Sequence, residues 1–415
     1  MDGYKPPVIH SGHGVCREVR NLSGRVLAVS MEIPWALFQQ HCAWNPDMVY
    51  MVPDMDLETV EQVERSLPPC DVVVGIGGGS SCDMAKYIAW KRGCRMVLVP
   101  TIISVDAPLT NTIAVRVDKK VTYVGHIFPE ELLVDYDLIR EAPSELNRAG
   151  ACDIASIHTG LFDWKLAHEH TGERYDAAIA AEAQACLEEL DRNAEEVYDV
   201  TPRGIDTIVD LYRREVKLCA EFGNSRPEEG SEHLVAYNIE HITRRHFLHG
   251  DLVAFGLFAM TRLQRNRHEW MVELMRRCGL RYTCPDASRD ELRQALLTLK
   301  NFKDSAGLFY SIVDEAAITP EFVAGKPRLI SGPGPMPPAR YRSARRRSTK
   351  IVLWPSTGWA FCRTWASTSK IFLAFLNWRN WLWATPIARA MRGPRTSRPW
   401  LSLATTNPWL SSWEV

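Results

Sequence analysis

Residues 71–86, DVVVGIGGGSSCDMAK, contain the signal that decides the fold of this chain. The run 71–76 is short and apolar, as in a buried parallel strand, and three consecutive glycines follow it at once. Glycines let the backbone approach a phosphate closely, and the first helical N–H groups, from about Ser80, would point at an anion. The order strand, glycine loop, helix therefore predicts a phosphate-binding turn. The alternative is a tight turn without a ligand, because the spacing is neither GxGxxG nor that of a P-loop.

On either side of this stretch, residues 1–146 alternate between short apolar runs and helical patterns. Further strands are predicted at 25–30, 48–52 and 96–99. Apolar residues recur at helical spacing over 57–67, and residues 112–134 alternate in a way that favours a hairpin with VDKK as its turn. The pattern predicts an α/β domain with an open parallel sheet covered by helices.

Residues 147–330 carry helical patterns and no strong strand signal. Apolar residues keep one helical stripe over 205–219 and another over 271–278, which Gly279 is placed to end. Ser288 and Glu291 are spaced as a capping box in front of a leucine-rich stretch. We therefore predict that the second domain is all-helical.

The segment 331–415 differs from the rest in composition. It carries 13 basic residues and one acid, Glu414, and it holds 9 of the 14 tryptophans. So abrupt a change favours a shifted reading frame. An unstructured basic tail and a membrane-surface segment around 371–383 are the alternatives. We predict that 331–415 is not part of the fold, and we place no site there.

The composition of the chain excludes several classes of protein. A length of 415 residues is enough for two or three domains. The first 330 residues carry 36 basic and 49 acidic residues, which disfavours nucleic acid as a partner because phosphate binding needs a basic face. No apolar run reaches the length of a membrane span, and the N-terminus has no apolar signal core. Eleven scattered cysteines without a CxxC pair fit reduced thiols in a cytoplasmic protein.

Four blocks, in order along the chain, resemble the iron-containing alcohol dehydrogenase superfamily. They are GIGGGSSCDMAK (75–86), VPTIISVDAPLT (99–110), LNRAGACDIASIHTGLFDWKLA (146–167) and, within 224–256, NSRPEEGSEHLVAYNIE with FLHGDLVAFG. VDAPLT is similar to glycerol dehydrogenase, whereas DWKLA and SRPxxGSEH are similar to sn-glycerol-1-phosphate dehydrogenase. The resemblance implies a dinucleotide-binding domain over 1–146, a helical metal- and substrate-binding domain over 147–330, and a cleft between them with one divalent metal.

The resemblance also implies roles for individual residues. The cofactor-binding residues would be Gly77, Gly78, Gly79, Ser80, Ser81 and Asp83 at the pyrophosphate, Thr101 and Ser104 at the nicotinamide, and Thr110 beyond them. Asp106 would meet the substrate hydroxyls, with Asp153 and Tyr237 also facing the substrate. The metal ligands would be Asp153, His233 and His249, which with Asp106 make up the predicted catalytic set.

One carboxylate and two imidazoles suit Zn²⁺ first, and also Fe²⁺ or Ni²⁺, with a position left open for substrate. Spacing alone does not choose the histidines, because His241 and His246 lie in the same region as His233 and His249. Both acids also have ordinary interpretations. Asp153 could cap a helix, and Asp106 before Ala-Pro could be a turn residue.

Several positions depart from the pattern of these branches. Cys152 stands where a glycine is usual, which would strain the backbone if φ were positive there. Tyr237 stands where the phosphate-using branch has a histidine, and it cannot carry a positive charge near neutral pH. Ser30 stands where glycerol dehydrogenase has an aspartate for the adenosine ribose, so NADP becomes acceptable beside NAD. Arg116 could pair with a 2′-phosphate or be an exposed strand residue.

We therefore predict a metal-dependent, NAD- or NADP-linked dehydrogenase that interconverts a small polyol or polyol phosphate with its ketone. One alternative is a cyclase of the 3-dehydroquinate synthase type, although VDAPLT replaces its usual glycine-rich block. The other is a non-catalytic relative, suggested by the tail and Cys152. We expect a cytoplasmic homo-oligomer without a membrane span.

Overall fold

A computed structural model describes residues 5–118 and 120–324. The strands of this part are β1 (Val8–Gly12), β2 (Val26–Ser30), β3 (Met48–Met51), β4 (Val72–Gly77), β5 (Arg95–Pro100), β6 (Thr112–Val117), β7 (Lys120–His126) and β8 (Glu131–Asp135). Six of them form one parallel sheet in the order β1-β8-β5-β4-β2-β3, and β6 and β7 form an antiparallel hairpin. The carboxyl ends of the parallel strands therefore meet at one edge, where open α/β sheets bind ligands.

Helices connect the strands and then build the rest of the described chain. Between the strands lie a 3-10 helix (Val15–Asn21), α1 (Glu32–Cys42), α2 (Leu57–Ser66) and α3 (Gly79–Arg92). After β8 follow α4 (Tyr136–Glu141), α5 (Ser144–Ala149), α6 (Ala151–Thr171), α7 (Ala177–Arg192), α8 (Ala194–Tyr198), α9 (Pro202–Phe222), α10 (Ser231–Thr243), α11 (His249–Gln264), α12 (His268–Cys278), α13 (Arg289–Leu297), α14 (Leu299–Ala306), α15 (Ile312–Glu315) and α16 (Pro320–Ala324). None of the described helices is long and apolar enough to cross a membrane.

The centre of the sheet is β4, every residue of which is buried. Val73 faces a core that it shares with Met84 and Ile88 of α3, and this core continues into the later helices. Val74, whose side chain points the other way, packs in a second core with Phe38 of α1. Burial on both faces explains the continuous apolar run, because a parallel strand covered by helices has no solvent side. Each fully buried aliphatic side chain contributes roughly 1.5–3 kcal/mol.

The structure confirms the predicted parallel sheet, its four predicted strands and the helix over 57–67. It corrects the prediction for 112–134. The hairpin is formed by β6 and β7 alone, and Asp118 in its turn has a positive φ of 50°. Residues 131–135 are instead β8, which joins the parallel sheet between β1 and β5. Among the elements of residues 1–146, β1, the 3-10 helix, α1 and α4 were not predicted.

The helical character predicted after residue 146 is confirmed for the described residues, where no strand follows β8. Helix α13 begins with the predicted capping box between Ser288 and Glu291, and Gly279 ends α12 with φ 73°. The predicted domain boundary at 146/147 falls inside α5. The segment 331–415, with the membrane-surface alternative at 371–383, lies outside the described residues.

A buried carboxyl group joins three helices of this second part. Asp163 of α6 accepts a hydrogen bond from the backbone N–H of Ser231 at 2.7 Å, where α10 begins. Its other oxygen accepts from the N–H of Ile312, also at 2.7 Å, where α15 begins. Since the first N–H groups of a helix have no partner within it, Asp163 satisfies two such groups at once.

Candidate metal and cofactor site

Three helix N-termini bring the predicted metal ligands together. Asp153 lies in the first turn of α6, His233 is the third residue of α10, and His249 is the first residue of α11. One ligand atom from each side chain lies within 4.8 Å of the others. The Nε2 atom of His249 is 3.4 Å from Oδ1 of Asp153, and the two imidazole centroids are 5.3 Å apart. Asp153 and His233 are buried, whereas the His249 side chain is 34% exposed, so the cluster opens on one side.

The cluster fits a divalent cation. The Oδ1 atom of Asp153 is buried and accepts no hydrogen bond from the part of the chain that the structure describes, which is costly for a carboxylate unless a cation lies there. One carboxylate and two imidazoles are ligands of catalytic zinc sites, which leave a position open. Ligand chemistry and the unsatisfied oxygen therefore agree on a metal site.

A neighbouring carboxylate orients one of the imidazoles. Oε1 of Glu232 lies 2.7 Å from Nδ1 of His233 and accepts the N–H of Gly230 as well. This contact leaves Nε2 of His233 free to face the cluster, as in other metal sites where a carboxylate fixes the histidine tautomer. The sequence analysis did not single out Glu232, although its position directly before a ligand histidine in GSEH was a usable signal.

The electrostatic field at His233 favours positive charge. Burial opposes the charged imidazole, but the carboxylates of Glu229 and Glu232 outweigh burial and raise the pKa of His233 to about 10. A field that holds a proton so firmly also attracts a metal cation to the same place.

Close packing fixes the start of α6 against the loop that follows β5. A Cβ atom on Gly150 would lie 2.0 Å from the carbonyl oxygen of Ile103 and 2.2 Å from the hydroxyl oxygen of Tyr212, so only glycine fits. The Tyr212 hydroxyl donates to the carbonyl of Gly150 at 2.8 Å, and Asn147 Oδ1 accepts the N–H of Ile103 at 3.1 Å. These contacts fix the backbone at Gly150 and so hold Asp153, which follows three residues later, in place. Tyr212 was predicted only as a member of an apolar stripe.

The glycine loop lies at the carboxyl end of β4. Gly77 has φ 145°, a conformation that side chains disfavour, and a Cβ on Gly78 would lie 2.8 Å from Ile102. Helix α3 begins at Gly79, and its first internal hydrogen bond runs from Cys82 N–H to Gly78. The preceding N–H groups, near the partly exposed Ser80, are therefore free for an anion.

Two of the predicted pyrophosphate residues lie deeper than expected. Ser81 is fully buried, and its hydroxyl has no hydrogen-bond partner among the described residues. Asp83 is buried and pairs with Lys86 at 2.7 Å, and Lys86 also donates to the carbonyl of Thr110 at 3.5 Å. Asp83 is therefore not open to a cofactor, because it neutralises a lysine that ties α3 to the next loop.

That next loop, residues 101–111, runs between the glycine loop and the metal cluster. Thr101 and Ser104 are buried, and the N–H of Thr101 donates to the carbonyl of Gly77 at 3.1 Å. The hydroxyl oxygen of Thr110 lies 3.1 Å from that of Thr112. Asp106 lies in a turn, and its carbonyl accepts the N–H groups of Leu109 and Thr110. The loop thus brings Asp106 towards the cluster.

The position of Asp106 changes its acidity. Burial raises the pKa of this carboxyl group to about 7; the charge of Asp153 adds to the effect and Lys86 opposes it. A carboxyl group with such a pKa can accept or release a proton near neutrality.

The chain is similar to known proteins. A family model of iron-containing alcohol dehydrogenases matches residues 29–143. The glycerol-1-phosphate dehydrogenase (NAD(P)+) of Hyperthermus butylicus is 32% identical over 266 residues, which cover 63% of this chain and 74% of that protein. A protein of the same name from Aeropyrum pernix is 30% identical over 277 residues, 65% of this chain and 77% of that protein. This chain belongs to the iron-containing alcohol dehydrogenase superfamily.

Solved structures of this superfamily share the fold. A probable glycerol dehydrogenase from Sinorhizobium meliloti 1021 superimposes with a TM-score of 0.56 at 18% identity, over 80% of this chain and 97% of that one. An iron-containing alcohol dehydrogenase from Corynebacterium glutamicum gives 0.58 at 15% identity, over 78% of this chain and 94% of that one. The predicted superfamily, its fold class and the enzyme class, a dehydrogenase, are therefore confirmed.

Cys152, which replaces the glycine usual in these branches, does not strain the backbone. It is a buried helical residue of α6 and is not among the described residues with positive φ. The ring of Tyr237, predicted to face the substrate, lies 5.9 Å from that of His233 and is tilted by 48° to it, and its hydroxyl donates to Oε1 of Glu229 at 3.0 Å. It therefore lies beside the metal cluster.

The prediction that Ser30 faces the adenosine ribose is wrong. Ser30 is fully buried, and its hydroxyl donates to the carbonyl of Ile76 in the neighbouring strand at 2.8 Å. The first acid after this strand is Glu32, the first residue of α1, whose side chain is exposed. Arg116 is not free either, because it contacts His246 and lies 3.9 Å from Glu240.

The remaining histidines of the region lie outside the metal cluster. His241 packs its ring on Phe302, 5.1 Å away. His246 contacts Arg116 and lies 3.4 Å from Glu240. Of the four histidines that spacing left open, His233 and His249 are the two that lie together with Asp153.

Proposed function

We propose that this protein is a metal-dependent, NAD(P)-linked dehydrogenase that converts a secondary alcohol of a small polyol, or of its phosphate, into a ketone and back. The reaction is CH–OH + NAD(P)⁺ → C=O + NAD(P)H + H⁺. The names of the relatives from Hyperthermus butylicus and Aeropyrum pernix support the substrate class and the cofactor. The observation that carries the proposal is the convergence of Asp153, His233 and His249 beside the glycine loop.

The cofactors supply the chemistry that side chains lack. A divalent cation, with zinc as the first expectation, is a Lewis acid that lowers the pKa of a hydroxyl group, and the nicotinamide accepts the hydride. Asp153, His233 and His249 would hold the cation, and the free N–H groups at the start of α3 would hold the pyrophosphate.

The chain itself orients the substrate and handles the proton. The carboxyl group of Asp106 lies on the loop that joins both cofactor sites, so it can accept a hydrogen bond from a second substrate hydroxyl. With its pKa raised to about 7, the same carboxyl group can take up the proton that the reacting hydroxyl releases. Buried Thr101 and Ser104 restrict the nicotinamide side and limit the access of water.

Cysteine chemistry supports a reducing compartment. The ten cysteines in the described part of the chain are all free thiols. Because secreted proteins of this size commonly oxidise neighbouring cysteines, we retain the cytoplasm as the proposed location. The homo-oligomer stays a prediction.

The test is a screen that follows NADH and NADPH absorbance with glycerol, glycerol 1-phosphate, dihydroxyacetone and dihydroxyacetone phosphate. Purified protein should contain about one divalent ion per chain. His249→Ala should lose most of this metal and nearly all turnover while keeping its circular dichroism spectrum. Full metal content in that variant, or no turnover of any substrate by metal-loaded wild type, would contradict the proposal.

A further inference from the structure

Glu229 places a carboxylate near the metal cluster, to which Tyr237 links it. It lies two residues before α10 and four before His233. Oε1 accepts the hydroxyl of Tyr237 and Oε2 accepts the hydroxyl of Ser225, each at 3.0 Å. Two hydroxyl donors, one to each oxygen, are the partners expected of an ionised carboxylate and fix its orientation.

The backbone around this carboxylate is fixed as well. The N–H groups of Glu228 and Glu229 both donate to the carbonyl of Ser225, at 2.9 and 2.7 Å. The carbonyl of Glu228 accepts the hydroxyl of Ser156 at 3.0 Å, one turn beyond Asp153 on α6. Glu229 therefore cannot swing away from the cluster without breaking several hydrogen bonds.

Tyr237 connects Glu229 to the metal cluster. Its ring lies 5.9 Å from that of His233, and its hydroxyl donates to Oε1 of Glu229 at 3.0 Å. Glu229 therefore lies one hydrogen bond away from a side chain beside the metal cluster.

Three cationic side chains of this part of the chain already pair with carboxylates. Lys86 is fully buried and pairs with Asp83. Arg226, in the same segment as Glu229, donates to Glu173 at 2.7 Å and to the carbonyl of Tyr310 at 3.0 Å, and its Nη1 atom is buried without a hydrogen-bond partner among the described residues. Arg116 pairs with Glu240. A substrate phosphate would therefore compete with a carboxylate for the charge of each of these side chains.

We infer that Glu229 is a specificity-determining residue that selects an unphosphorylated polyol over a polyol phosphate. The inference rests on the proposed function and narrows its substrate class. A carboxylate accepts hydrogen bonds from the hydroxyls of a neutral polyol, whereas it repels a phosphate dianion across the same short distance. Discrimination by a repulsive group is a common way in which proteins reject a close analogue.

The test compares kcat/KM for glycerol with that for glycerol 1-phosphate, and for the two corresponding ketones, in wild type and in Glu229→Gln. Glutamine keeps the shape and can still bond to Tyr237 and Ser225, but it removes the charge. The control is Glu221→Gln, because Glu221 is exposed on α9 and pairs with Lys217 at 3.5 Å. Wild type should favour the unphosphorylated substrates about tenfold or more, and Glu229→Gln should improve the phosphorylated ones about tenfold, chiefly through KM.

A binding measurement separates this inference from the proposed function. Calorimetric titration of the metal-loaded protein with glycerol 1-phosphate should show about tenfold tighter binding by Glu229→Gln than by wild type or Glu221→Gln. The affinity can be measured even if no substrate is turned over. In that case the proposed function is contradicted, whereas the inference about Glu229 is still tested. A wild type that prefers the phosphorylated substrates, or equal affinity of all three proteins for glycerol 1-phosphate, would overturn the inference.

Discussion

Glu232 binds the imidazole of His233, the residue that follows it, through a 2.7 Å contact between Oε1 and Nδ1. Both side chains are buried, and Oε2 of Glu232 has no hydrogen-bond partner in the described structure. The carboxylate therefore acts on the metal cluster through the ligand, by holding its ring in one orientation.

Glu232→Gln should weaken metal binding about 10- to 100-fold, because the amide is a poorer acceptor for the imidazole N–H. Zinc affinity measured by competition with a chromophoric chelator checks this expectation. Glu221→Gln, at an exposed position, is the control and should bind zinc as wild type does. Unchanged affinity in Glu232→Gln would show that the ring is oriented by packing alone.

Cofactor choice should depend on Glu32 rather than on Ser30. Glu32 follows β2, the neighbour of β4, and its exposed carboxylate lies at the strand end where an adenosine ribose is expected. Glu32→Gln should therefore strengthen NADPH binding about five- to tenfold and change NADH binding little. Fluorescence titration with both nucleotides measures this, with Glu18→Gln in the exposed 3-10 helix as control. Equal shifts for NADH and NADPH would place Glu32 away from the 2′-position.

Gly150→Ala should displace the start of α6. The new methyl group would collide with the Ile103 carbonyl and the Tyr212 hydroxyl, at a cost of about 1–3 kcal/mol or more. Because Asp153 follows three residues later, metal content should fall together with the melting temperature. Gly172→Ala, at the other end of the same helix, has no atom within 4 Å and should lower stability without loss of metal. Equal metal loss in both variants would contradict the explanation.

Asp163 should make the protein less stable as the pH rises from about 4 to 6. Burial raises the pKa of this carboxyl group to about 6, so the folded state holds its proton more firmly than the unfolded state, where the usual value is about 4. The slope of stability against pH is then negative across this window, and the total effect is on the order of 3 kcal/mol. Urea titrations at pH 4.5 and 7 should show that Asp163→Asn has lost this pH-dependent part of the stability. The control variant Asp199→Asn, at an exposed position, should retain it. Parallel pH profiles of wild type and Asp163→Asn would contradict it.

The sequence was sufficient for those parts of the fold that carry strong local signals. The apolar run of β4, the glycines after it and the capping box at Ser288 depend on neighbouring residues only, so they were predicted correctly. Strand β1 was missed because its sequence, VIHSG, is largely exposed at the sheet edge and has no apolar run. Helix α1 was missed because its third residue is a proline, which usually marks the end of a helical pattern. Strand β8 was assigned to the hairpin because its residues follow β7 with a similar alternation.

The site was predictable only where a motif fixed the residue. Spacing could not separate His233 and His249 from His241 and His246, because the choice depends on how three helix N-termini meet. The direction of the Ser30 side chain depends on the register of β2 against β4, which no local pattern encodes. The ion pair of Asp83 with Lys86 was likewise unforeseen, since an acid in the first turn of a helix usually lies at the surface.

The hydrogen bonds of Asp163 also set an order in which the protein can be completed during synthesis. The ribosome releases the chain from its N-terminus, and all three metal ligands have been made once His249 has emerged. The carboxylate of Asp163 nevertheless waits for the N–H of Ile312 before both of its oxygens are satisfied. A nascent chain that ends between residues 249 and 312 therefore contains all three metal ligands. In such a chain Asp163 can accept the hydrogen bond from Ser231 but lacks the one from Ile312.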